Sequence, residues 1–438
     1  MNSDTYTKKL ELFKSQELFK RLSERQRSFL LDMAGRYRFT FQEFRQLTEA
    51  CRDLEMWNND EGALQAWADE NYSAKNFPEN TLAVDKRRFI RALRDYMEGL
   101  KNSPKHYDMF PRSVKVRAEK KPLVSRKSDK QIFGWCPVAS EKTVCCNLRT
   151  IDAVENCAFG CSYCTIQTFY SDRYVFDAEL AKKLDRITLD PDRFYHIGTG
   201  QSSDSLVWGN RNGMLDDLIR FARKHPNVML EFKTKSAKIT YFLEHEIPPN
   251  IVCSWSLNPQ IIIDHEEHFT ATLDERLASA RAVADRGIKV SFHFHPIIYY
   301  ENWEEDYPQI ARRLQAMFNP EEILFISFGS VTFIKPVIKK IRLRGITSKI
   351  LQMNFVTDPH GKLTYADEIK IKKFRKMYES FSDWHDKVFF YLCMEKSSIW
   401  QAVFGRVYPV NEDFEKDMLQ KCMTKIYGKT HIANEVLQ

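Results

Sequence analysis

A chain of 438 residues, 43% hydrophobic and 29% charged, is long enough to bury a full-sized core with one accessory domain. No apolar run approaches the roughly 20 residues that span a bilayer, and Met1-Asn2-Ser3-Asp4-Thr5 is not a basic segment leading into an apolar one, so a cytoplasmic location with no membrane partner is expected. The net charge of +7 excludes little alone, whereas ten cysteines scattered through so long a chain point to reduced thiols and a metal group rather than a disulfide framework.

Residues 1–103 read as a helical domain, because apolar residues recur at three- and four-residue intervals over 8–24, 26–37, 40–56, 61–70 and 83–100. Phe29, Tyr37, Phe39, Phe41, Phe44 and Trp57 share that spacing and are read as core. Residues 104–130 read as a connector marked by Pro104, Pro111 and Pro122. Between Val114 and Lys130 seven basic residues (Lys115, Arg117, Lys120, Lys121, Arg126, Lys127, Lys130) face two acidic ones. Such a run is either a polyanion contact, carried by Lys120, Lys121, Arg126 and Lys127, or a solvated linker held extended by its charge.

From Asn147 the pattern changes. Short apolar runs at 148–154, 194–197, 228–233, 251–256, 288–293, 323–328, 349–355 and 388–392 alternate with amphipathic helices at 178–187, 214–224, 273–286 and 303–317. Alternation of this kind predicts parallel strands joined by crossover helices. The expected fold class is therefore α/β: a partial TIM-like (β/α) barrel over 131–410, with the helical domain before it and a tail at 411–438.

In such folds chemistry gathers at the carboxyl ends of the strands. The first strand leads into Glu155-Asn156-Cys157-Ala158-Phe159-Gly160-Cys161-Ser162-Tyr163-Cys164. Its C-x3-C-x2-C spacing brings three thiolates together on one loop. A four-iron, four-sulfur (4Fe-4S) cluster normally takes four thiolates, so three leave one iron open for a ligand. Zinc is the alternative and needs a fourth ligand, such as Cys145, Cys146 or Cys136. The next strand ends run Gly198-Thr199-Gly200-Gln201-Ser202-Ser203-Asp204, Lys233-Thr234-Lys235, Ser256-Leu257-Asn258 and His293-Phe294-His295-Pro296.

The cysteine spacing, with Tyr163 before the last cysteine, resembles the signature of the radical S-adenosylmethionine (radical SAM) superfamily. Over about residues 130–405 the order of segments resembles the spore photoproduct lyases within it: 157–168, Lys235, Ser256-Leu257-Asn258, 273–287, and Pro296 followed by Glu301-Asn302-Trp303-Glu304-Glu305-Asp306-Tyr307. The resemblance implies a radical SAM type barrel and an iron-sulfur cluster on Cys157, Cys161 and Cys164. It implies SAM contacts from Lys235, Ser256 and Asn258, with Gly198, Thr199, Gly200 and Ser202 lining the approach. Reductive cleavage of S-adenosyl-L-methionine would give a 5'-deoxyadenosyl radical, hydrogen abstraction would follow, and DNA repair would be the outcome, with flavodoxin or ferredoxin as electron donor.

Two departures stand out. The family's lyases return a hydrogen atom from a cysteine in the loop after the second strand, and 200–204 holds none; they carry a tyrosine after the third cluster cysteine, where this chain has Thr165. Tyr163 is left as the catalytic candidate, with Cys253 and Cys393 as alternative hydrogen donors or as buried structural cysteines. A hairpin over 356–365, signalled by Pro359-His360-Gly361, offers Lys362 and Tyr365 to nucleic acid, with His360 at its tip. Other readings stay open: the same chemistry on RNA, a peptide or a small molecule, or a structural zinc or iron-sulfur module that binds nucleic acid.

Overall fold

A computed structural model describes all residues except 1–2, 59, 73–81, 111–120, 137–141, 359 and 429–438. The chain divides into two compact units, Met1–Val114 with Phe333–Val356, and Lys115–Thr332 with Thr357–Gln438.

The first unit holds helices Ser3–Lys14, Glu17–Arg21, Glu24–Tyr37, Phe41–Asn58, Ala63–Tyr72 and Leu82–Asn102. The single helix expected over 8–24 is broken at residues 15–16, and the next helix starts from Ser23, whose hydroxyl accepts Gln26 N–H at 3.2 Å while Gln26 Oε1 accepts Ser23 N–H at 2.9 Å, a reciprocal cap. Tyr37, Phe39, Phe44 and Trp57 are buried in the core as expected, with Phe13 stacked on Phe44 and Tyr37 on Phe89, whereas Phe29 is half-buried and Phe41, expected in the core, is exposed. Residues 333–356, far along the chain, complete this unit. Helix Lys335–Leu343, not expected from the sequence, docks through Arg342, whose guanidinium forms two 2.8 Å bonds to Asp53. The strand expected over 349–355 does not form. Ile350, Leu351 and Met353 are buried there, and the segment's polar groups finish helix ends instead: Ser348 N–H donates to Met56 O at 3.0 Å and Lys349 Nζ to Trp57 O at 2.7 Å.

The second unit is built on an eight-stranded sheet of β1 (Phe133–Trp135), β2 (Arg149–Ile151), β3 (Tyr195–Thr199), β4 (Val228–Thr234), β5 (Ile251–Ser256), β6 (Lys289–Phe294), β7 (Ile323–Phe328) and β8 (Phe389–Leu392). They lie side by side in chain order. All neighbours from β2 to β8 are parallel and β1 is antiparallel to β2. Helices such as Met214–Lys224, Leu273–Asp285 and Trp303–Met317 provide the crossovers. Residues 123–126, expected inside a linker, form a strand parallel to Tyr174–Asp177. Residues 411–438, expected as a tail, include helix Asn411–Tyr427, because Phe414, Met418 and Cys422 recur every four residues and are buried, Phe414 against Phe389 and Tyr391.

Candidate functional site

The cysteine loop is held from both sides by backbone. Gly160 N–H donates to His268 O at 3.0 Å and Ser162 N–H to Glu266 O at 2.8 Å, while the Ser162 hydroxyl donates to the Glu266 carboxylate. Asn156, in left-handed backbone at φ 72°, starts the loop, and its side chain accepts Ser171 N–H at 2.9 Å. All ten cysteines are thiols. Cys157, Cys161 and Cys164 lie within electrostatic reach of one another. Burial pushes Cys161 up to about 12, against the pull of the Lys235 ammonium. Among the described residues no three His, Cys, Asp or Glu side chains converge on a single metal ion. A four-iron cluster binds each thiolate through a different iron and needs them spread, so three neighbouring thiols on one pinned loop beside a cation fit that group.

Behind the loop lies a buried polar network. The Tyr163 hydroxyl donates to Glu267 and accepts Asn258 Nδ2–H at 3.3 Å; Asn258 Nδ2 also donates to Glu267 Oε1 at 2.8 Å. Asn258 Oδ1 accepts the Tyr307 hydroxyl at 2.7 Å, and that hydroxyl accepts Ile298 N–H at 2.8 Å. Arg276 donates to Glu267, to Thr270 Oγ1 at 2.8 Å and to Ser256 O at 2.8 Å. Burial works against the Glu267 charge, but Arg276 and Lys235 hold its carboxyl down at about 2. Lys235 Nζ lies 5.8 Å from the centre of the Tyr163 ring. Burial disfavours its charge too, yet Cys161 and Glu267 raise its pKa. Lys235, Ser256, Asn258 and Tyr163 are thus brought together beside the cysteines, and Asn258 has both amide atoms committed inside the protein.

The loop after β3 is built mainly to fold. Gly200 stands at φ 76°, and a Cβ there would meet Ser205 Oγ at 2.6 Å and Ser205 N at 2.7 Å. Thr199 Oγ1 lies 2.8 Å from Ser205 Oγ, and Gly198 packs against Leu148. The Ser202 hydroxyl sits 2.9 Å from both Asp152 Oδ1 and Val154 O. Asp204, not singled out from the sequence, carries the loop to the end of β4: it accepts Lys235 N–H at 2.7 Å, the Thr234 hydroxyl at 2.8 Å and Leu206 N–H at 3.0 Å.

A second network fills the barrel. Glu231 accepts from His196 Nε2 at 2.7 Å, from His293 Nε2 at 2.5 Å and from Ser254. His293 Nδ1 lies 2.6 Å from Ser327 Oγ, Ser327 Oγ 2.9 Å from His295 Nε2, and His295 Nδ1 3.4 Å from Lys233 Nζ. Burial alone would raise Glu231, but the two imidazoles hold it well below the usual carboxylate range. Burial and Lys233 lower His293 to about 4 and push His295 well down.

A family model described as spore photoproduct lyase matches residues 149–376, just over half of the chain. The chain belongs to the spore photoproduct lyase family. It is similar to the spore photoproduct lyase of Clostridium acetobutylicum, 28% identical over 197 residues that cover 43% of this chain and 58% of the relative. It is also similar to that of a Geobacillus species, 26% identical over 211 residues that cover 46% and 61%. The chain therefore matches about three fifths of the length of these relatives. A solved spore photoproduct lyase variant with bound AdoMet and dinucleoside spore photoproduct shares the fold, with a TM-score of 0.52 at 22% identity over 62% of this chain and 82% of that one. Another solved variant gives 0.54 at 18% over 69% and 94%. The matched region spans the cysteine loop, β3 to β7 and the network around Glu267.

The residues offered to nucleic acid fare unevenly. Lys120 lies outside the described residues. Lys121 Nζ donates to Ser171 O at 2.7 Å and approaches the rings of Tyr170 and Tyr174. Arg126 ends its strand and Lys127 is exposed, 3.9 Å from Glu179. The hairpin turn forms, with Asp358 N–H donating to Lys362 O at 2.8 Å, although Pro359 is outside the described residues. Tyr365 is a correction: it is 1% exposed, its hydroxyl accepts Tyr299 N–H at 3.0 Å, and Lys373 Nζ covers its ring at 3.7 Å, so it does not face a base. Of the two alternative donors, Cys253 is fully buried inside β5 and Cys393 follows β8. No described helix is long and apolar enough to cross a membrane.

Glu267, Arg276 and Tyr307 were missed as a site although two of them sit in segments that carried the resemblance. Thr272-x-x-Glu275 caps the helix after Glu267. That marks 267–271 as the loop before the helix, but Glu267 stands between Glu266 and His268, so nothing beside it in the sequence signals a buried carboxylate that needs a partner.

Proposed function

We propose that this chain is a radical SAM enzyme that abstracts a hydrogen atom from a nucleic-acid substrate, with a DNA lesion related to spore photoproduct as the leading candidate. The observation that supports this is the meeting of the Cys157–Cys164 loop with Lys235 at the strand ends, in a chain of the spore photoproduct lyase family. Cys157, Cys161 and Cys164 would hold a 4Fe-4S cluster, which when bound supplies the electron that cleaves the sulfonium of SAM. Lys235 offers a positive charge to the SAM carboxylate. Glu267, pinned by Arg276, keeps Tyr163 and Asn258 in place and so fixes the wall against which SAM rests. Cys161, Ser162 and Tyr163 are buried, so the side of the loop that faces Lys235 and Glu267 would be shielded from water, which protects a carbon radical from side reactions. A low-potential carrier such as flavodoxin or ferredoxin in the cytoplasm would supply the electron.

The loop 200–204, which lacks a cysteine, favours a second reading: the same chemistry on RNA, a peptide or a small molecule whose product radical needs no thiol from that loop. Anaerobically reconstituted protein should be given SAM, dithionite and a deuterated dinucleoside spore photoproduct. Deuterium in 5'-deoxyadenosine supports the first reading. SAM cleavage without transfer, followed by transfer from one of the other substrate classes, supports the second, and absence of SAM cleavage overturns both.

A further inference from the structure

Four cysteines outside the loop are also gathered. Cys136 follows β1, Cys145 and Cys146 precede β2, and Cys393 follows β8, so the three segments come from the two opposite edges of the sheet. An antiparallel bridge ties those edges, Val144 N–H donating to Glu395 O at 3.0 Å, and Cys146 and Cys393 each lie two residues from it. Cys136 N–H donates to Leu148 O at 2.9 Å, two residues beyond Cys146, and Cys393 N–H to Phe328 O at 2.8 Å. Cys145 N–H is fixed by Asn411 Oδ1 at 2.8 Å. The thiols of Cys145 and Cys146 are hydrogen-bonded to each other, and Cys136, Cys146 and Cys393 lie within electrostatic reach of one another.

The backbone beside these cysteines is unusual. Asn147, directly after Cys146, has φ 50°, and Met394, directly after Cys393, has φ 54°. Left-handed backbone is rare for Met, which has no local hydrogen bond to offset it, whereas Asn adopts it more readily; such strained conformations concentrate at ligand sites. Asn156, directly before Cys157, shows the same conformation at the cluster loop. Lys233 faces Cys393, placing a cation where four thiolates would need one.

We propose that Cys136, Cys145, Cys146 and Cys393 ligate a second iron-sulfur cluster. Four thiolates close every protein-facing coordination position, so this centre would pass electrons rather than bind SAM, in contrast to the open three-thiol loop. Assembly of a four-iron core breaks four S–H bonds, forms four Fe–thiolate bonds and releases four protons, with two ferrous and two ferric ions and four sulfides as the reagents, so that no further oxidant is needed. The inference goes beyond the proposed function and stands whether or not the loop cleaves SAM.

The test is anaerobic reconstitution with ferrous iron, ferric iron and sulfide of the full chain, of the Cys157→Ala/Cys161→Ala/Cys164→Ala variant and of the Cys136→Ala/Cys146→Ala variant. Iron, sulfide, Mössbauer spectra and the electron paramagnetic resonance of the dithionite-reduced proteins would be measured. The loop variant should keep iron, sulfide and a reduced signal indifferent to SAM. The Cys136→Ala/Cys146→Ala variant should lose that signal and keep the SAM-responsive one together with 5'-deoxyadenosine formation. A wild-type spectrum that needs only one cluster, a folded loop variant free of iron, or the four cysteines recovered as disulfides or on zinc would each overturn the proposal. Two clusters without any SAM cleavage would instead overturn the proposed function alone.

Discussion

Arg276 and Glu267 form an ion pair in which both side chains are wholly buried. The pair links the crossover helix Leu273–Asp285 to the wall behind the cysteine loop, because Glu267 also receives the Tyr163 hydroxyl and Asn258 Nδ2. Removing one partner of such a pair strands the other charge at a cost of about 3–5 kcal/mol. Arg276→Ala should therefore lower chemical-denaturation stability by that amount, and Tyr163→Phe, which deletes one neutral donor to Glu267, by about 1–2 kcal/mol. Equal losses in the two variants would show that Glu267 does not depend on Arg276.

Each of Cys157→Ala, Cys161→Ala and Cys164→Ala should abolish 5'-deoxyadenosine formation from SAM while leaving circular dichroism unchanged, since the loop is held by backbone bonds to Glu266 and His268. Lys235→Met should keep the cluster and raise the SAM concentration needed for half-maximal cleavage by roughly tenfold or more, as removal of a charge-assisted hydrogen bond requires. Unaltered SAM affinity in that variant would remove Lys235 from the SAM site.

Acid should destabilise the barrel from about pH 6.5 downwards. His293, at about 4, and His295, lower than usual, stay neutral in the folded state while the unfolded chain takes up protons below 6.5. The unfolded state then binds more protons, so stability falls as pH falls, by about 1.4 kcal/mol per unit for each imidazole between its two pKa values. Thermal unfolding between pH 7 and pH 5 should show this slope, and His293→Gln/His295→Gln should flatten it. An unchanged slope would mean that neither imidazole is held neutral.

Gly200→Ala should cost about 2–4 kcal/mol, from the left-handed backbone together with overlap on Ser205. Gly209→Ala, at φ 57° with nothing near its Cβ, should cost only about 1 kcal/mol. Denaturant midpoints of the two variants test the difference, and equal midpoints would show that Ser205 moves away freely.

If spore photoproduct is the substrate, native protein should form 5'-deoxyadenosine but little clean repaired thymine, and a thiol in the loop after β3 should improve the yield. Gln201→Cys is the better site, because Ser202 holds the loop to Asp152 and Val154. Efficient repair by the unmodified chain, insensitive to Cys253→Ala and Cys393→Ala, would refute the need for that thiol.

The basic run bears on a different measurement. Replacing Lys121, Arg126 and Lys127 together with Gln should flatten the salt dependence of DNA binding, by about 0.9 in the log–log slope for each phosphate that a side chain no longer neutralises. Binding absent at low salt for both single and double strands would leave the run without a nucleic-acid role.

The barrel was legible because its strands are continuous apolar runs separated by amphipathic helices, a pattern that survives without any partner in view. The cysteine loop was legible because its spacing is local. What escaped notice depends on distant pairing. Glu267 acquires meaning only from Arg276, nine residues on, and from Tyr163 on another element. Ile350, Leu351 and Met353 look like a strand, but no strand edge lies beside them and the helix ends do. Tyr365 sits where a hairpin side chain reaches outward by position, yet Lys373 and Tyr299 enclose it.

The excursion of Phe333–Val356 between β7 and β8 makes the helical unit discontinuous along the chain. During synthesis the first 114 residues would emerge early but wait for more than 200 others before helix Lys335–Leu343 could supply Arg342 to Asp53. Deleting the first hundred residues would leave Val337, Ile341, Ile350 and Leu351, all now buried, without cover. Such a shortened chain should aggregate through that segment unless 333–356 is replaced by a short polar turn, so the two stretches must be inherited, transplanted or removed as one.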